Sequence, residues 1–135
     1  MKQYHIVARL AIYLLSVVLI AFGIFHFKNP YDLLVYVPDF LPGGILWVYI
    51  VGGAFILAGI SFLFNKFVKL TGYLLAAMLV ILILTVHLPN SMNAGAKEMR
   101  QFAWMNVLKD TAIVGFALLI ASGAHHQKLH LEESD

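Results

Sequence analysis

Four apolar stretches of near membrane-spanning length fill most of this 135-residue chain and leave too little polar sequence to build a water-soluble domain. They run from about Val7 to Phe25, Ile45 to Phe64, Val68 to Val86 and Asn106 to Gly123. A helix rises about 1.5 Å per residue, so ~20 residues cross a hydrocarbon core of about 30 Å. Lipid offers the backbone no hydrogen-bond partners, which restricts a span to a helix or to a strand of a closed barrel. None of the four alternates with the period of two that a barrel strand needs. The expectation is an all-α, integral membrane four-helix bundle. It forms a single domain over residues 1–135, with residues 124–135 as a cytoplasmic tail.

Only 12% of the residues are charged, and the formal net charge of +2 comes from scattered basic residues rather than a patch, which argues against nucleic acid as a partner. The absence of cysteine excludes disulfides, thiolate catalysis and thiolate-held metal clusters. Lys2 and Arg9 ahead of an apolar run that includes Ala21-Phe22-Gly23 imitate a secretory signal. The run continues through Ile24 and Phe25 without a polar break, so a retained first span is expected.

With four spans, Lys2, Arg9, Lys66, Lys69 and Lys128 share one side, and Lys28, Lys97, Arg100 and Lys109 share the other. The short 2–3 loop is purely basic, whereas the longer connections mix in Asp32, Asp39 and Glu98. Short loops report orientation best, so both termini are expected in the cytoplasm, in a bacterial inner membrane.

The connection from Phe27 to Gly44 is apolar but punctuated by Pro30, Pro38 and Pro42, which stop helices. Tyr31, Tyr36 and Phe40 suit the headgroup layer. It reads as a Pro-rich interfacial or partly re-entrant cap, or as an irregular loop resting on lipid. The connection from Leu88 to Met105 reads as a short interfacial helix leading into span 4. Ala54 with Ala58, and Ala117 with Ala121, are small-xxx-small pairs, used either within the bundle or between copies in a homo-oligomer.

Ionisable groups at lipid depth are expensive, so each is a candidate for function. His26 follows span 1, His87 ends span 3, and Lys109 and Asp110 lie in the first turns of span 4. All four belong to the outer face, where Asn90 and Asn106 are placed to join them. Such a cluster suits binding of a small molecule or proton exchange, since histidine titrates near neutral pH. The spacing is not a local metal motif, and no metal site is expected. In the structural alternative the histidines end their helices, Lys109 snorkels to the headgroups, and Asp110 neutralises it or caps span 4. His125, His126 and His130 in the tail read as solvated.

Several stretches together resemble the DoxX-like family of small four-span membrane proteins. They are Phe22-Gly23-Ile24-Phe25-His26-Phe27, Val37-Pro38-Asp39-Phe40-Leu41-Pro42, the glycine-rich run from Val51 to Gly59, and the run from Val107 through Lys109, Asp110 and Gly115 to Leu119. Many members of that family carry a glutamate where this chain has Gly53-Ala54-Phe55, so no chemistry of that carboxylate carries over. The resemblance implies a four-helix membrane fold. It also implies an accessory or anchor role in a quinone-linked redox assembly, with oxidoreductase subunits as partners and a quinone as the ligand. The alternative is a small-molecule binding or transport protein with a pocket at the outer face. No stand-alone catalytic motif is present, so any enzymatic role is that of a subunit.

Overall fold

The computed structural model describes the backbone of residues 2–134 and the side chains of residues 6–123. Its elements are α1 (Lys2–Lys28), α2 (Pro30–Leu34), α3 (Ile45–Phe64), α4 (Val68–Leu82), a π-helical turn (Ile83–His87), α5 (Leu88–Asn93) and α6 (Lys97–Ser134). Among the described residues there is no strand. Among the described residues, four segments are long and apolar enough to cross a membrane: Ile6–Lys28, Ile45–Phe64, Val68–Asn93 and Lys97–Gly123. They form spans 1 to 4 of a helical membrane bundle. The proximal end carries the chain termini and the turn between spans 2 and 3, and the distal end carries the two other connections.

One core unites all four spans. Leu19, Phe55, Ala58, Phe62, Leu75, Leu79, Ala117 and Ile120 pack in a single buried cluster. Large apolar side chains such as Leu14, Leu57, Leu84 and Leu119 point outward, as lipid-facing residues do. Small residues set the closest approaches. A Cβ on Gly23 would lie 2.5 Å from the Gly52 carbonyl oxygen, and one on Gly59 would lie 2.7 Å from that of Ser16, so span 1 rests on span 2 nearly backbone to backbone. Gly72 gives the same intimacy to spans 3 and 4, where a Cβ would meet Ala121 at 2.8 Å. Ala117 and Ala121 are thus spent on packing within the chain, whereas Ala54 lines a shallow groove described below.

Two boundaries differ from the sequence expectation. The 88–105 stretch is not a separate interfacial helix, because span 3 continues to Asn93 and α6 already starts at Lys97. Only residues 94–96 connect them, and the Arg100 guanidinium closes that bend by donating to the carbonyls of Ala94 and Gly95 at 2.8 and 3.0 Å. Pro89 lies just inside this continuation, at the start of α5. The helix widens ahead of it, with Leu88 N–H bonded to the carbonyl five residues back at Ile83. The second difference is at the C-terminus, where α6 runs on to Ser134 without a break at 123. The side chains of His125, His126 and His130 lie outside the described residues.

The proline-punctuated connection folds as α2 followed by turns, with Pro30 buried at the start of α2. Gly43 and Gly44 adopt φ of +97° and +45°, which glycine tolerates where other residues would be strained. Trp47 Nε1 donates to the Pro42 carbonyl at 2.6 Å and pins the end of the connection to span 2. Midway along it, the Tyr36 ring stacks on Phe102 of α6 at 6.1 Å between centroids, which lays the connection across the distal end of the bundle.

Candidate functional site

Asp110 is the centre of the site because of where the helical repeat puts it. Ala103, Asp110 and Ala117 are seven residues apart, two turns of a helix each, and all three are buried against span 3. Asp110 is only 5% exposed. With α6 beginning thirteen residues earlier at Lys97, the carboxylate is no helix cap, contrary to the cap reading of the sequence.

The partner of that carboxylate is His87, the last residue of the π-helical turn, whose Nε2 lies 3.0 Å from Asp110 Oδ2. A buried carboxylate accepting from Nε2–H fixes the imidazole tautomer, so in the neutral ring Nδ1 carries the lone pair. Lys109 Nζ is 3.9 Å from the other oxygen, Asp110 Oδ1. Its ammonium donates to Asn106 Oδ1 at 3.2 Å and sits over the Phe22 ring of span 1, 4.8 Å from the centroid. The lysine side chain is about half exposed, unlike its neighbour Asp110.

Phe22 links this pair to the second histidine. Its ring packs on Phe55 of span 2 at 5.8 Å, and the His26 ring packs on the same Phe55 at 5.5 Å. His26 Nδ1 donates to the Phe22 carbonyl at 2.6 Å, one turn back along α1, and leaves Nε2 as its free nitrogen. Gly52 makes room for the imidazole, since a Cβ there would lie 2.6 Å from His26 Cβ. The two imidazoles do not touch; the line from one to the other runs through Asp110, Lys109 and Phe22.

Asn90 lies one turn beyond His87 toward the distal end, and Asn106 lies one turn beyond Asp110 on the antiparallel partner. Asn90 Nδ2 is shielded from solvent yet, among the described residues, has no hydrogen-bond partner, a costly state for a buried donor. One turn further on α6, Phe102 carries Tyr36 of the connection. The polar groups therefore form a ladder, Asp110–His87 and then the level of Asn90 and Asn106, covered by an aromatic pair.

Of the sequence candidates, Asp110 contacts both His87 and Lys109, His26 joins through Phe22, and Asn90 stands above them. Phe22, Phe55 and Tyr36 were not singled out for the site from sequence. Phe22 and Phe55 flank Gly23 and Gly52, the two glycines of the closest span 1–span 2 approach, and that neighbourhood was the available signal. Among the described residues no three His, Asp or Glu side chains gather as metal ligands do. An apolar groove of about 210 Å³ opens elsewhere, between spans 2 and 3, lined by Ala54, Leu57, Ala58, Thr71, Leu74, Leu75 and Met78.

No curated protein and no solved structure matches the chain. A family model does match, over residues 15–126, a stretch that contains all four spans' cores and every residue of the ladder. The chain belongs to the family described as a domain of unknown function, DUF8561.

Proposed function

We propose that the distal ladder is a proton-exchanging site and that the chain serves as an accessory or anchor subunit of a quinone-linked redox assembly in a bacterial inner membrane, with both termini in the cytoplasm. The observation that carries this reading is the buried His87–Asp110 hydrogen bond between spans 3 and 4. Ionisable groups within membrane helices are costly, face the bundle interior, and are by default candidates for proton or ligand pathways. A carboxylate that orients an imidazole leaves the other ring nitrogen poised to take a proton. His26 offers a second such nitrogen, and Lys109 supplies a positive charge toward a developing oxyanion. Oxidation of a quinol releases two protons and two electrons. The imidazoles of His87 and His26 accept the protons, and a redox-active partner subunit takes the electrons, the role that the resemblance to DoxX-like proteins implies.

The test is mild extraction from native membranes with mass spectrometry of everything retained. A redox subunit or a quinone retained by the wild type and lost on His87→Gln supports the reading; a lone chain with lipid only refutes it. A second reading, binding of a small molecule without redox chemistry, is favoured by the unpartnered Asn90 amide, which an acceptor oxygen on a ligand would satisfy. Retention of a non-redox compound that Asn90→Leu abolishes would select it.

A further inference from the structure

The turn between spans 2 and 3 holds a residue in the wrong place for its type. Asn65 and Phe67 both have left-handed backbones, with φ of +57° and +55°. Asn65 is unremarkable there: it ends α3 in a Schellman-type cap, with Lys66 N–H bonded to the Ser61 carbonyl at 3.0 Å. A phenylalanine at positive φ is an outlier, and such strain persists only where the surrounding structure holds it in place. The side chain does not repay the strain by packing, because Phe67 is 79% exposed, and Phe64 beside it is 66% exposed. The turn is nonetheless firmly held. Ser61 Oγ donates to the Lys66 carbonyl and meets Thr71 Oγ1 at 2.7 Å, tying the two helices together around it.

Lys66 and Lys69 flank Phe67, both exposed and, among the described residues, in no ion pair. The acidic residues with described side chains, Asp32, Asp39, Glu98 and Asp110, all belong to the distal half. Two lysines around two outward phenylalanines match an anionic lipid surface: rings enter the boundary of the acyl region while ammonium groups meet phosphates. We propose that this turn is a clamp for anionic phospholipid headgroups, and that Phe67 is held in a strained conformation in order to anchor there.

The experiment reconstitutes the full chain in nanodiscs of phosphatidylcholine alone or with phosphatidylglycerol, and counts retained lipid by native mass spectrometry. Each lysine near an anionic surface is worth roughly a fivefold preference, so the wild type should enrich phosphatidylglycerol over phosphatidylcholine by about 25-fold through this pair. The enrichment should fall to near unity in the Lys66→Gln/Lys69→Gln variant. Phe67→Gly should lower it several-fold while raising the thermal midpoint in phosphatidylcholine, because glycine relieves the strain. Undiminished enrichment in the lysine variant overturns the proposal. So does Phe67-dependent retention of a peripheral protein with no lipid preference, which would make the turn a protein-docking point.

Discussion

Removing His87 should cost more than removing Asp110, although the two share one hydrogen bond. The pair is 3.0 Å apart, with side chains 17% and 7% exposed. His87→Leu strips a buried carboxylate of its nearest partner, and breaking such a pair from one side costs about 3–5 kcal/mol. Lys109 remains 3.9 Å from the other carboxylate oxygen, so the lower end, about 3 kcal/mol, is expected. Asp110→Leu leaves an imidazole that is stable as a neutral ring, and the loss is one hydrogen bond in a membrane bundle, about 1–2 kcal/mol. The double variant removes both polar groups and should cost no more than Asp110→Leu alone, which gives a coupling energy of about 3 kcal/mol. Reversible unfolding in bicelles, followed for the wild type, both single variants and the double, measures all four corners. Additive effects, or equal losses in the two single variants, would refute the picture of a carboxylate that depends on His87.

Three other outcomes follow from the geometry. Gly72→Ala should destabilise by about 1–3 kcal/mol, because its Cβ would meet Ala121 Cβ and the Ala117 carbonyl within 3 Å, while Gly53→Ala, with nothing within 4 Å, should stay within about 0.5 kcal/mol; equal effects in the same unfolding assay would contradict the helix contacts. Phe102→Ala should release the Tyr36 stack, worth about 0.5–1.5 kcal/mol, and speed labelling of a single cysteine at buried Ser91 by roughly 2- to 13-fold with a water-soluble maleimide; unchanged labelling would mean the connection does not cover the ladder. In whole cells an impermeant reagent should label a cysteine placed at Asn93 and spare one at Asn65, and the reverse pattern would invert the orientation.

How much of this was legible in the sequence depends on which physical rule each feature obeys. Span lengths follow from hydropathy, so Ile45–Phe64 matches to the residue. The gathering of His26, His87, Lys109 and Asp110 at one end follows from antiparallel connectivity, which fixes depth along the helix axes. Which side of each helix faces inward is a finer matter. For Asp110 the signal existed, since Ala103, Asp110 and Ala117 repeat every seven residues, and small residues at that spacing read as a packed stripe. Reading Asp110 together with Lys109 as a pair obscured it, because adjacent residues on a helix point about 100° apart and only one of the two can face the core.

For His87 no local signal existed, and Pro89 explains why. Gly72, Leu75 and Leu79 fix the inward face of α4. At about 100° per residue, Ser91, twelve residues past Leu79, would sit about 120° off that face in an unbroken α-helix. Yet Ser91 is 4% exposed and Leu79 is 0% exposed. The extra residue accommodated in the turn from Ile83 to His87 takes back about 100° and leaves Ser91 only about 20° away. Pro89 provides the cause, since it has no N–H to bond and its ring crowds the carbonyl of Thr85; the Thr85 hydroxyl, bonded to the Ile81 carbonyl at 2.7 Å, loosens the same turn. The same rotation carries His87, the last residue of that turn, round to within 3.0 Å of Asp110. Pro89, two residues past His87, is thus what aims that histidine. A wide turn next to a buried ionisable pair is where helices tend to spend regularity on function rather than on packing.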